Sequence, residues 1–122
     1  QGFEAELASL PGKYAMPSGR LYIAYVDGRP AGCIALRPLG SGVCEMKRLF
    51  VRAGFRGHKL GMRLVRKLIE EARSAGYSKM RLDTFPPKMG KAVSLYQSHG
   101  FEQIPAYYDN PHPDVLFMEL AL

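Results

Sequence analysis

The spacing of apolar and polar residues along the chain predicts a series of short strands. Leu21 to Val26 is rich in strand-forming residues, Asp27-Gly28 is a strong hairpin signal, and Ala31 to Leu36 supplies the return strand. A turn at Gly40-Ser41-Gly42 leads into a third strand, Val43 to Val51. Strict alternation predicts that this third strand has one face made of Cys44, Met46, Arg48 and Phe50 and another made of Val43, Glu45, Lys47, Leu49 and Val51.

Two later segments show the helical period instead. From Gly61 to Ala75 the apolar residues fall on one stripe of a helix, and Gly76 is suited to end it. Pro86-Pro87 opens a second helix near Lys88 to His99, which Gly100 ends. We also interpret residues 3–10 as the tail of a helix stopped by Pro11-Gly12, and we predict strands at Ser78 to Phe85, Phe101 to Ile104 and Val115 to Leu120.

The order of these elements predicts the fold class. The helix between the strands 43–51 and 78–85 makes them a parallel pair joined by a right-handed crossover. The expected fold is α/β (α+β), with a mixed, mostly antiparallel sheet, one central parallel pair of strands and helices on both faces. We expect a single domain over residues 1–122, because this length suffices for one core.

Composition and charge limit the kinds of ligand and partner that we expect for this protein. No apolar run is long enough for a membrane span, and the two cysteines, Cys33 and Cys44, lack the spacing of a disulfide scaffold, so we expect a cytoplasmic protein with reduced thiols. The formal net charge of +6 would suit nucleic acid, but no predicted helix combines a basic face with base-reading side chains. A small polyanion is the expected ligand, and neither nucleic acid nor a membrane is expected as partner.

Residues 44–61 carry the strongest functional signal. A strand runs into a basic loop that contains glycine, and the loop opens the helix at Gly61. Free backbone N–H groups and the positive end of the helix dipole favour phosphate at such a place. Four basic residues lie close together there, Arg52, Arg56, Lys59 and Arg63. The pattern therefore predicts a binding site for a phosphorylated cofactor.

The loop resembles the signature of the GNAT superfamily of N-acetyltransferases, which is Arg or Gln, two residues, Gly, one residue, then Gly or Ala. The stretch Arg56 to Gly61 matches its first and last positions, while Lys59 stands where the middle glycine is expected. A second family pattern matches Ala92, Leu95-Tyr96 and Gly100-Phe101, with Met89 in place of a frequent asparagine. Both patterns occur in the family's order between about residue 20 and the end.

The resemblance implies an acyl-CoA N-acyltransferase-like fold and an enzyme that moves an acetyl group from acetyl-CoA to a primary amine of a small molecule or peptide. No metal is implied. The loop of Arg56, Gly57, His58, Lys59, Leu60 and Gly61 is expected to bind the pyrophosphate, and Met62 is expected to contact the cofactor as well. The pantetheine arm is expected along Leu49, Phe50 and Val51, with Ala92 also at the cofactor.

Two residues are candidates for the chemistry. Tyr96 occupies the position from which family members protonate the departing thiolate, although it could instead be a packed core tyrosine. Glu45 lies where some members carry a base that deprotonates the amine, and the alternative is a surface ion pair with Lys47 or Arg37. Asp83, on the neighbouring strand, is a weaker candidate for the same base.

The acceptor side and the assembly are less determined by the sequence. Tyr107 and Tyr108, followed by Asp109-Asn110-Pro111, suit an amine acceptor, but the same residues also favour an ordinary turn. The family's first strand and first helix are expected to be missing, which would leave Leu21 to Val26 as an open edge and invite a homodimer. A domain that binds coenzyme A without turnover is the alternative function.

Overall fold

The computed structural model describes residues 3–7, 19–55, 59–110 and 112–122, with only the backbone described for residues 3–7 and 86–90. These residues form one seven-stranded sheet in the order β1-β2-β3-β4-β5-β7-β6. The strands are β1 (Phe3–Leu7), β2 (Arg20–Val26), β3 (Arg29–Gly40), β4 (Val43–Val51), β5 (Lys79–Thr84), β6 (Glu102–Ile104) and β7 (Leu116–Ala121), and the helices are α1 (Leu60–Ser74) and α2 (Pro86–Ser98).

The predicted turns lie where the sequence puts them. Asp27 and Gly28 both have positive φ, 51° and 77°, which is the geometry of a type I′ hairpin between β2 and β3. Gly76 and Gly100 follow α1 and α2 with φ of 93° and 99°, the left-handed conformation that ends helices. The local backbone chemistry therefore sets the ends of the elements.

The mixed sheet with one parallel pair is confirmed. β4 and β5 run parallel and α1 connects them, while the other neighbouring strands are antiparallel. Apolar residues of both helices pack on one face of this sheet in a single core, among them Leu64, Val65, Leu68 and Tyr96 over Met46, Met80 and Leu82. Both described helices thus lie on the same face, whereas the sequence predicts helices on both faces. Within the described residues the opposite face carries charged side chains such as Arg37, Glu45, Arg81 and Glu119.

The N-terminal segment differs from its prediction. Residues 3–7 form β1, not a helix, and β1 pairs antiparallel with β2 from Phe3↔Val26 to Leu7↔Tyr22. The prediction of an open edge along Leu21 to Val26 is therefore wrong. Residues 8–18, which include the predicted stop at Pro11-Gly12, lie outside the described residues. The apolar residues of FEAEL suit either period, and pairing with β2 decides between them.

A bulge in β4 corrects the predicted faces of this strand. Cys33 pairs with Phe50 but Ala35 pairs with Lys47, so β4 carries one extra residue between these pairs. Arg48 takes up that residue with φ of 60°. Beyond the bulge the faces exchange, because Leu49 and Val51 pack on the core beside Cys44 and Met46, while Phe50 is 54% exposed. The predicted alternation of side chains between the two faces of β4 is therefore wrong beyond Lys47.

Candidate active site

The central feature of the site is a gap between β4 and β5. Among the described residues, the two strands pair only from Val43↔Lys79 to Glu45↔Arg81 and then separate. The separation opens a cavity of about 220 Å³, lined by Met46, Lys47, Arg48, Leu49, Leu82, Asp83, Thr84 and Tyr96. Two parallel strands that part in this way leave unpaired backbone groups facing each other, which an extended ligand can use.

The two sides of the gap differ in chemistry. On the helix side, Tyr96 and Thr84 are both buried beside the apolar core. On the opposite side, Lys47 and Asp83 carry charge, with side-chain exposures of 28% and 19%. A ligand that enters from the helices and one that enters from the charged face would therefore meet in the gap.

Tyr96 lies on α2 with its ring against Phe101 at a centroid distance of 5.8 Å. It is 4% exposed and lines the gap. Burial, together with the negative charge of Asp83, raises the pKa of Tyr96 to about 12. The phenol therefore keeps its proton at neutral and mildly alkaline pH and can donate a hydrogen bond into the gap.

Glu45 is buried and forms an ion pair, so its carboxylate is not accessible to solvent. Arg37 Nε lies 2.7 Å from its Oε1, and the Tyr107 hydroxyl donates to its Oε2 over 2.6 Å. Its side chain is 1% exposed and does not line the gap. The predicted pairing with Arg37 is thus present, and Lys47 Nζ is 3.8 Å from the same oxygen.

Asp83 is the carboxylate that reaches the gap. The Tyr108 hydroxyl donates to its Oδ2, and Lys47 Nζ lies 3.5 Å from the same oxygen. Asn110 Nδ2 in turn donates to the Tyr108 hydroxyl over 3.0 Å. The rings of Tyr107, Tyr108 and Phe117 pack edge to face at 5.1 to 5.5 Å, which fixes both hydroxyls. Each tyrosine predicted for the acceptor side thus contacts one carboxylate.

The sequence assigns no catalytic or ligand-binding role to two residues that line the gap. Lys47 contacts both carboxylates, and only the tertiary structure brings Asp83 to it. Thr84 is a polar residue on the face of β5 that also carries Met80 and Leu82. A threonine at an inward position of an otherwise apolar face was the signal that could have identified it.

Only part of the predicted phosphate-binding site lies within the described residues. Arg56, Gly57 and His58 lie outside the described residues. Lys59 is exposed, has φ of 58°, and directly precedes α1. Leu60 is 2% exposed and packs with Val26, Ala31 and Phe55, so its side chain belongs to the core and only its backbone could meet a ligand.

The remaining residues predicted to bind the cofactor, Gly61, Met62 and Ala92, lie on the two helices. Gly61 lies close to α2, since a Cβ there would be 3.3 Å from Leu95 Cδ2. Met62 is half-buried in the first turn, and Ala92 packs against the core from α2. A basic cavity is lined by Arg29, Phe50, Arg52, Ala53, Gly54 and Phe55. The first turn of α1 carries no acidic residue, which leaves its N-terminus favourable for an anion.

Residues 2–101 match the family described as "Acetyltransferase (GNAT) family". The chain belongs to the GNAT family of acetyltransferases. It is 44% identical to an uncharacterized N-acetyltransferase of Schizosaccharomyces pombe, over 100% of the chain and 76% of that protein. It is also 37% identical to an IAA acetyltransferase of Azospirillum brasilense, over 88% and 71% of the two chains. The prediction of an acetyl-CoA-dependent N-acetyltransferase is confirmed at this level of family and enzyme class.

Solved structures confirm the fold of this acetyltransferase. A putative acyl-CoA N-acyltransferase from Klebsiella pneumoniae superposes with a TM-score of 0.86 at 22% identity, over 98% of this chain and 97% of that one. A GNAT acetyltransferase from Elizabethkingia anophelis with acetyl-CoA bound superposes with a TM-score of 0.77 at 19% identity, over 99% of each chain. At these identities the likeness shows the fold alone.

Two further findings concern the described residues of this acetyltransferase. None of its described helices is long and apolar enough to cross a membrane. The described part of the chain also holds no cluster of three or more His, Cys, Asp or Glu side chains placed to ligate a metal ion. The cytoplasmic location and the homodimer stay predictions.

Proposed function

We propose that this acetyltransferase moves an acetyl group from acetyl-CoA to a primary amine of a small molecule or peptide, by direct attack in a ternary complex formed in the gap between β4 and β5. The observation that carries the proposal is the end of strand pairing at Glu45↔Arg81, which opens a cavity with a buried phenol on one side and an accessible carboxylate on the other. Such a cavity lets a thioester and an amine meet with an acid and a base at hand.

The cofactor would approach from the helix face. Its pantetheine arm would run along the main chain of Leu49, Phe50 and Val51, where β4 has left β5. Its pyrophosphate would lie at the loop 56–61 and the N-terminus of α1, helped by basic side chains that include Arg52 and Lys59. Bound coenzyme A in a Bacillus subtilis acetyltransferase of the same fold, with a TM-score of 0.79, supports a cofactor of this class.

Tyr96 would act on the sulfur side. Attack of the amine on the thioester carbonyl forms a tetrahedral oxyanion, which a backbone N–H of β4 would stabilise. Collapse of this intermediate breaks the C–S bond and releases a thiolate, which needs a proton or a hydrogen bond. The raised pKa of Tyr96, about 12, keeps the phenol protonated until this step.

The structure favours Asp83 over Glu45 as the group that takes the amine's proton. The contacts described for Asp83 all go to Oδ2, which leaves Oδ1 to accept a proton in the gap. Both oxygens of Glu45 already have partners, Arg37 and Tyr107. We propose that Glu45 positions Tyr107 and Arg37 on the charged face of the sheet. The role of Glu45 as the base stays a prediction, which the pH dependence of the Asp83 and Glu45 variants tests.

The experiment that tests the proposed function combines binding and turnover. Calorimetry with acetyl-CoA measures binding, and a screen of amines and peptides for acetyl-CoA consumption identifies the acceptor. Tyr96→Phe should then leave acetyl-CoA affinity unchanged and lower kcat about 100-fold, because only the hydroxyl is removed. If acetyl-CoA binds but no acceptor supports turnover, the chain is a coenzyme A sensor instead.

A further inference from the structure

One polar atom in the gap has no partner in the free protein. Among the residues that the structure describes, the hydroxyl oxygen of Thr84 is the buried side-chain polar atom that makes no hydrogen bond. Thr84 is 6% exposed and lines the cavity between β4 and β5. A hydroxyl that is removed from water without a partner destabilises the folded state, so a valine of the same shape would be the more stable choice there.

Thr84 lies at the end of β5, beyond the part of this strand that pairs with β4. Thr84 pairs with Leu116 of β7 on one side, so that side of β5 is complete. On the other side it comes three residues after Arg81, the last residue of β5 that pairs with β4. The space between the two strands at this point is the cavity, and Thr84 is one of the residues that line it.

The side of the gap on which Thr84 lies indicates the ligand. Thr84 shares a face of β5 with Met80 and Leu82, which pack under the helices, and Tyr96 belongs to the same core. Lys47 and Asp83 occupy the opposite side, where an acceptor would enter. A group that meets the Thr84 hydroxyl therefore comes from the cofactor side.

We propose that Thr84 is a positioning residue whose hydroxyl hydrogen-bonds to the pantetheine arm of coenzyme A, at an amide or thioester group next to the sulfur. This inference rests on the proposed function. An arm of this kind offers both N–H donors and C=O acceptors, and a threonine hydroxyl can serve either. The hydrogen bond would hold the thioester beside Tyr96, and the protein would carry an unsatisfied hydroxyl until the cofactor arrives.

The test compares Thr84→Val with Thr84→Ser in the full chain. Thr84→Val removes the hydroxyl at constant shape, so it should raise the Tm of the free protein by about 3 to 5 °C and weaken acetyl-CoA binding about 5- to 10-fold in calorimetry. Thr84→Ser keeps the hydroxyl and loses a methyl group, so it should lower the Tm and retain the affinity. A purely structural threonine cannot produce these opposite changes.

The outcomes separate this inference from the proposed function. Equal affinity of Thr84→Val and the wild type, or a fall in both Tm and affinity, would overturn the role of Thr84. If the wild type itself fails to bind acetyl-CoA, the proposed function fails, and the inference with it. Titration with free coenzyme A locates the contact: an equal loss for both ligands indicates an amide of the arm, whereas a loss for acetyl-CoA alone indicates the acetyl carbonyl. Either result supports the inference.

Discussion

At the scale of single residues, the site is governed by which polar atoms already have partners. Glu45 and Asp83 are both carboxylates of neighbouring strands on the charged face, yet Glu45 is 1% and Asp83 19% exposed in their side chains. Tyr107 donates to Glu45 and Tyr108 to Asp83, so one tyrosine pair holds both carboxylates in place. Of these two carboxylates Asp83 alone lines the cavity, which is why we propose Asp83 as the base and a positioning role for Glu45.

The pH dependence of two variants tests this assignment. Asp83→Asn should lower kcat/KM about 100-fold at pH 7 and much less at pH 10, because an amine with a pKa of about 10 is largely free there and no longer needs a base. Glu45→Gln should lower the rate equally at both pH values and lower the free energy of unfolding by about 1 to 2 kcal/mol, because Arg37 loses its partner. The reverse pattern would make Glu45 the base.

At the scale of elements, the bulge in β4 shapes the gap. The extra residue at Arg48 turns Leu49 and Val51 onto the core and Phe50 outward, immediately after the strand leaves β5. β3 follows this distortion closely at Gly32, where a Cβ would lie 2.6 Å from the Phe50 carbonyl oxygen. The course of β4 past the gap thus depends on a glycine in the next strand.

Gly32→Ala tests that dependence. The new methyl would force the β4 backbone to move, so we expect a loss of about 2 kcal/mol in the free energy of unfolding and weaker acetyl-CoA binding. Gly54→Ala is the matched control, since a Cβ there meets nothing within 4 Å, and it should change stability by less than about 0.5 kcal/mol. Urea unfolding and calorimetry measure both quantities. A Gly32→Ala variant as stable as the control would show that β4 does not need the close approach.

At the scale of the whole molecule, buried acids make stability depend on alkaline pH. Burial raises the pKa of Cys44 from 9.0 to about 12, and burial also raises the pKa values of Tyr22, Tyr77, Tyr96 and Tyr107. Between pH 9 and 12, for example, the thiol of Cys44 has lost its proton in the unfolded chain and has kept it in the folded chain. The stabilisation is complete below pH 9 and is lost as the pH rises towards 12, because each such group then favours the unfolded chain.

Cys44→Ala isolates one of these groups. The wild type should lose up to about 1.4 kcal/mol of unfolding free energy per pH unit for Cys44 between pH 9 and 12, and the variant should lack this part of the slope. The alanine lowers stability at every pH, so the slope is the measured quantity. Cys33→Ala is the comparison, because Cys33 is only half-buried and its removal should change the slope less. Identical slopes in all three proteins would refute the assignment.

The sequence by itself determined the order of most elements and the family. Period-two and period-3.6 patterns, together with Gly76, Gly100 and the Asp27-Gly28 hairpin, are local signals, because backbone conformation and one-sided burial depend on near neighbours. The parallel pair of β4 and β5 followed from their connection through α1, and the motifs around Gly61 and Tyr96 identified the acetyltransferase family that the match over residues 2–101 confirms.

The tertiary structure decided what depends on contacts between distant segments. Pairing with β2 made residues 3–7 a strand, and the bulge against β3 exchanged the faces of β4, although neither segment encodes this locally. Partners remote in the chain likewise distinguished Glu45, which Arg37 and Tyr107 enclose, from Asp83, which reaches the gap. The unpaired hydroxyl of Thr84 lies at the gap where β4 and β5 separate, a feature of two strands that no pattern within one of them records.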